Sequence, residues 1–386
     1  MRAAVLAASL APAIVGAAEV PVWFGIYTNP KTRSEGVYVA RFDTETGAVT
    51  TPVLAGRAKN PSFLAFHPRL PIVYAVSEIA AADGTPGGAV EAFAIDDATG
   101  ALTSRGAEST GGAGPCHVTV DPDGKVVLAA NYGGGSVACL GLGADGGLEP
   151  LITTGNGSGF LQHAWDRSHE PGIDPKRQER PHAHSVDVAP GGRFAFVCDL
   201  GLDEVLVHAL DRERATLAPH AVARLATAAG PRHLAIHPDG VRGWCVNELD
   251  LTVTGLAIDV ARGALRVGPT ASTIPADITD RSGFSCAEIA VHPNGKFLYA
   301  SNRGHDSIAM FRIVDGTTGL ELLGVEPTRV KTPRHFAIAP GGRHLLAAGQ
   351  NSGTVTVFSV DEQTGRLSFT GTSVEVPSPV CIAFRR

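Results

Sequence analysis

CHVTVDPDGKVVLAAN (residues 116–131) reads as an apolar strand, a turn built on Pro122 and Gly124, and a second apolar strand. The same frame returns as HSVDVAPGGRFAFVCD (184–199), RHLAIHPDGVRGWCVN (232–247), AEIAVHPNGKFLYASN (287–302) and RHFAIAPGGRHLLAAG (334–349). A sixth copy opens as SFLAFHP (62–68), and a seventh, VCIAF (380–384), runs off the chain end. A further turn follows each hairpin, usually D-x-x-x-G, placed at Gly47, Gly100, Gly147, Ala215, Gly263, Gly319 and Gly365. Its successive spacings are 53, 47, 68, 48, 56 and 46 residues. Asp and Gly suit a tight hairpin turn in which the last residue takes positive φ.

Units of about 50 residues holding four short strands are propeller blades. The strands missing from the seventh unit are supplied by VWFGIYTN (22–29) and GVYVARFD (36–43) near the N-terminus. The expected fold is therefore all-β, a seven-bladed β-propeller closed by strands from both ends of the chain. Closure removes the two sheet edges that an open array would expose. The one long interval contains an insertion at 151–180, which leads into RPHAHS (180–185).

Composition agrees with a turn-rich β protein: 46 Gly and 26 Pro in 386 residues, with only 18% charged. A net charge of −6 argues against nucleic acid as the partner. The opening MRAAVLAASLAPAIVGAAEVPVWFG pairs one Arg with an apolar stretch and small residues at 16–18. It reads as a signal peptide over 1–18, cleaved around Ala17–Ala18, ahead of a single domain at 19–386. It is too short and alanine-rich for a membrane span. A periplasmic or secreted protein is expected, or a cytoplasmic one if the start is misplaced. Six cysteines lie inside apolar runs without a CxxC pair, so buried thiols are expected rather than disulfides.

Registering the copies on their prolines exposes what does not repeat. Six residues before the proline stand Ser62, Cys116, His184, Arg232, Ala287 and Arg334; ten after it stand Glu78, Tyr132, Leu200, Glu248, Arg303 and Gln350. The first column begins the axial strand and the second ends its antiparallel neighbour, so both open on one mouth of the ring. Fold requirements recur in every blade, whereas an asymmetric site does not. His184, Arg232, Glu248 and Arg303 come from consecutive blades, and two cations, a carboxylate and an imidazole suit an anionic substrate and acid–base chemistry. His182, His233, His335 and Arg334 are candidate substrate-binding neighbours, although Glu78 and Arg334 could simply form a structural pair. No metal or cofactor is expected: H-A-H alone is a poor zinc signature, and NYGGGSV (131–137) lacks the helix a phosphate loop needs.

GPCHVTVDPDGK, DPKRQERPHAHSVDVAPGGRF, GPRHLAIHPDG, VNEL and SNRGHDSI resemble the seven-bladed propeller lactonases, which include a bacterial type of 6-phosphogluconolactonase and the fungal carboxy-cis,cis-muconate cyclase. The resemblance runs over nearly the whole chain after the signal segment. It implies an active site of His184 in PHAHS, Arg232 in GPRH, Glu248 in VNEL and Arg303 in SNRGHDS, the four residues that the columns select. The implied activity is hydrolysis of a sugar-acid lactone by acid–base catalysis, with the arginines holding the anion. Muconate-type cyclisation and a non-catalytic binding propeller are the alternatives. The second would favour a rim rich in Trp and Tyr, and the chain has only three and five of these.

Overall fold

The quoted hairpin forms as read: Pro115–Val120 pairs antiparallel with Val126–Asn131, which pairs with Ser136–Gly141. The computed structural model describes residues 19–28, 34–82, 85–154, 157–164 and 174–385. Residues 1–18, the expected signal peptide, lie outside the described residues. Seven four-stranded antiparallel sheets follow one another around an axis. In the closing sheet the C-terminal strand Pro379–Phe384 lies innermost and pairs with Glu19–Ile26, with Phe24 opposite Ile382. The remaining two strands of that blade are Gly36–Asp43 and Val53–Arg57.

The core is divided into seven apolar clusters, each lying between two consecutive blades. One of them packs Trp23 and Val39 of the closing blade against Val73 and Phe93 of the next, sealing the ring. A blade buries its faces only against its neighbours, so every unit needs the whole circle.

The repeated turn has a second purpose beyond reversing the chain. In the first copy the Asp43 carboxylate accepts the N–H groups of Glu45 and Thr46, and Gly47 adopts φ of 73°. A Cβ at Gly47 would sit 2.9 Å from Nε2 of His344 on the preceding blade. Elsewhere the preceding blade's aromatic residue donates to the turn: Trp23 Nε1 to the Gly100 carbonyl at 2.9 Å, Tyr74 Oη to Gly146 at 2.7 Å and Tyr299 Oη to Gly365 at 3.0 Å. The turn is thus a socket for the blade before it, which is why it recurs. Two copies differ from the expected spacing, with positive φ at Gly146 and Gly316 rather than at Gly147 and Gly319.

All six cysteines are buried free thiols. Part of the expected insertion is regular structure, since Phe160–Gln162 is the outer strand of its blade. None of the described residues forms a helix long and apolar enough to cross a membrane.

Candidate active site

Six of the seven axial strands carry an irregularity at their mouth end. Pro115 pairs with Asn131 and His117 with Ala130, so Cys116 is the unpaired residue of a β-bulge. The same slip isolates His184, Arg232 and Arg334, while Ala287 and Glu288 together oppose Ser301. A bulge adds a residue and re-aims its side chain, a common device beside functional sites. Apart from Ser62, the first column is therefore made of bulged residues, and two of them are arginines.

Glu248 is the centre of the arrangement. Its backbone ties two blades, with its N–H bonded to the Gly230 carbonyl at 2.7 Å and its carbonyl accepting from Cys286 at 3.1 Å. Oε2 receives Arg232 Nε at 3.0 Å and Arg303 Nη2 at 3.0 Å, with His184 Nε2 at 3.8 Å. Oε1 receives Arg177 Nη2 at 2.5 Å. The side chain is 1% exposed. Burial alone would raise its pKa, but Arg303, Arg232 and Arg177 outweigh it and hold the carboxyl well below the usual range. Glu248 is thus a permanent anion and a weak proton acceptor.

His184 sits in the opposite state. Burial, then Arg232, His233 and Arg334, push its imidazole well below the ordinary histidine value, so it is neutral at physiological pH. The Cys116 thiol beside it, with Sγ 3.7 Å from Nδ1, is raised far from ionisation by burial. It lines the cleft without adding charge.

His184, Glu248, Arg303 and Arg334 line an open cleft of about 280 Å³, joined by Tyr132 and Arg177. Arg232 does not line it. Its guanidinium sits beneath the surface, where Nη1 donates to the Ala287 carbonyl at 2.5 Å, and it borders a deeper void of about 10 Å³. His233 and His335 also border that void rather than the cleft. Space of that size holds roughly one water. His182 lies behind the wall, stacked on Tyr132 with centroids 4.5 Å apart, its Nδ1 against the Tyr132 carbonyl at 3.0 Å. The alternative of a structural pair between Glu78 and Arg334 is met through an intermediary. Tyr27 Oη donates to Glu78 at 2.9 Å and receives Arg334 Nη2 at 3.0 Å, with Ser62 also bonded to Glu78.

Four guanidiniums thus meet two carboxylates around the mouth, leaving excess positive charge. Arg303 Nε is buried without a partner, an unmet donor among the described residues. Site and charge together suit a small anionic or electron-rich ligand. The column comparison missed Arg177, because it lies outside the repeat. The chain leaves and re-enters beside Asp199, which accepts from His163 Nδ1 at 2.5 Å and the His182 N–H at 2.7 Å. Only its place in the 151–180 insertion, which leads into RPHAHS (180–185), pointed toward it.

Fold and site define a closed seven-bladed propeller with a polar, arginine-rich pocket at one end of its axis. Residues 21–384 match the family model described as Lactonase, 7-bladed beta-propeller, and the chain belongs to that family. The 6-phosphogluconolactonase of Bacillus subtilis is 34% identical over 94% of this chain and 97% of its own. That of Formosa agariphila is 30% identical over 90% and 94%. The structure of Pseudomonas aeruginosa periplasmic gluconolactonase superposes with a TM-score of 0.86 at 30% identity, covering 96% of this chain and 99% of that one.

Proposed function

We propose that the protein hydrolyses the ring ester of a sugar-acid lactone, with His184 as the general base. The observation that carries this reading is a neutral buried imidazole whose Nε2 lies beside a permanently ionised carboxylate in an arginine-lined cleft. A base must be unprotonated and near its proton. His184 is neutral with a carboxylate beside its Nε2 to stabilise the imidazolium, whereas the Glu248 oxygens are already taken by three guanidiniums. Relatives named as 6-phosphogluconolactonase and gluconolactonase support the substrate class.

In this reading water adds to the lactone carbonyl carbon while His184 Nε2 takes its proton. The carbonyl π pair moves onto oxygen, and the Arg303 guanidinium, which lines the cleft, donates to that oxyanion. Glu248 stabilises the imidazolium formed 3.8 Å away. Collapse breaks the ring C–O bond, and the imidazolium returns the proton to the departing ring oxygen. The product is an open hydroxy acid, whose carboxylate meets Arg334 and Arg303. Arg232 supports this surface from below.

His184→Ala should lower kcat by about 10²-fold or more on an accepted lactone, the usual contribution of a positioned acid–base group. The assay is a pH-stat run over a panel of phosphorylated and unphosphorylated lactones. Turnover like the wild type on the accepted substrate would end the assignment.

The substrate we infer is unphosphorylated, because an exported enzyme does not meet sugar phosphates, which are cytoplasmic. Support comes from the N-terminal pattern at 1–18 and from the periplasmic location in the name of the Pseudomonas aeruginosa relative. Mature protein should then begin near residue 18–20 and fractionate outside the cytoplasm, as N-terminal sequencing would show. Intact Met1 in a cytosolic fraction would make 6-phosphogluconolactone the better candidate.

A further inference from the structure

One layer below the bulged residues, the next residues of five blades meet one another across the axis. This deeper ring contains Phe63, His117, His233, Glu288 and His335, with Phe63 against all three histidine rings at centroid distances of 4.2, 5.7 and 5.5 Å. Within this largely apolar packing sits one carboxylate, Glu288, 7% exposed. A lone buried carboxylate is costly unless its lone pairs are met.

They are met by three donors whose hydrogens can be assigned. His335 Nδ1 accepts the Ile382 N–H at 3.2 Å, so its proton is on Nε2, which reaches Glu288 Oε2 at 3.2 Å. Arg232 Nη1 lies 3.2 Å from His233 Nε2, and a guanidinium can only donate. His233 therefore carries its proton on Nδ1, 3.0 Å from the same Glu288 oxygen. Oε1 accepts the Ile289 N–H at 3.0 Å. A chain runs upward from Glu288 through His233 to Arg232, whose Nε grips Glu248 in the cleft.

We propose that Glu288 is a positioning residue for the reaction: by fixing the His233 tautomer it gives Arg232 an acceptor below, and so sets the orientation of Glu248 beside His184. Arg232 is then held between two carboxylates on different layers. Without the lower one His233 can carry its proton on Nε2, where it opposes the guanidinium. Partners behind a functional group commonly change its performance by about 10–100-fold when lost. This inference rests on the lactonase reading of the mouth, but its first test does not.

That test is the ring ¹⁵N spectrum of His233 in the resting protein, assigned with His233→Gln. The proton should be on Nδ1 in the wild type and shift to Nε2, or to a mixture, in Glu288→Gln. On the lactone accepted in the panel, Glu288→Gln should lower kcat about tenfold with KM within about twofold, since no ligand contact is lost. His233→Gln places a carbonyl where Arg232 needs an acceptor, and should keep kcat within about threefold; His233→Leu should lose tenfold or more. A merely structural role would lower the melting temperature in all three without this split. The proposal is overturned if the wild-type proton is on Nε2, or if Glu288→Gln and His233→Leu turn over like the wild type. Failure of His184→Ala to slow hydrolysis would remove the mechanism above while leaving the tautomer result intact.

Discussion

Glu248→Gln is expected to cost about 3–5 kcal/mol of stability, the usual penalty for removing one partner from a buried ion cluster. The change keeps the side chain's shape but removes the counter-ion shared by Arg177, Arg232 and Arg303. A position at the rim of the ring suggests that such a substitution would be structurally mild. The structure reverses that expectation, because Glu248 and His184 are 1% and 4% exposed. Guanidinium chloride unfolding of the variant beside the wild type measures the loss. A change under about 1 kcal/mol would mean that the guanidiniums are balanced by something else. Activity should fall as well, since a neutral amide no longer stabilises an imidazolium at His184, so kcat should be read on protein verified as folded.

The second large effect is a fall in stability with acid. His117, His184, His208, His233 and His335 are buried, and burial first, with neighbouring cations or imidazoles second, depresses all five. His335 is pushed to about 4 and His208 to about 3. Below the unfolded value near 6.5, the unfolded chain takes up protons that the native state refuses. The stability these neutral rings contribute is thus complete above about pH 6.5 and is lost as pH falls toward the native values. Asp187 and Asp250 act in the opposite sense, because burial raises them to about 7 and about 6, and their native protons stabilise the fold as pH falls. A net of about three protons gives a slope on the order of 4 kcal/mol per pH unit below pH 6. The melting temperature should drop by roughly 5–10 °C per unit there. A flat profile between pH 6.5 and 5 would show that these histidines are not held neutral.

Much of the molecule follows from periodicity. Seven hairpins with recurring prolines and turns imply seven blades, and the incomplete seventh copy implies closure by the N-terminal strands, as Pro379–Phe384 and Glu19–Ile26 form. Registering the copies also places His184, Arg232, Glu248 and Arg303 at one mouth, since strand position along a regular hairpin converts directly into height on the axis. Height does not determine which partner a side chain takes. Arg232 lies beneath the cleft because its Nη1 reaches the Ala287 carbonyl and His233 below, whereas Arg334 on an equivalent bulge turns to Tyr27. Arg177 enters from a segment outside the repeat, and Glu288 meets His233 and His335 only because three blades converge on one axis. Those choices depend on distances between strands remote in sequence and on the pairing that burial demands of every charge. They arise only when the ring closes.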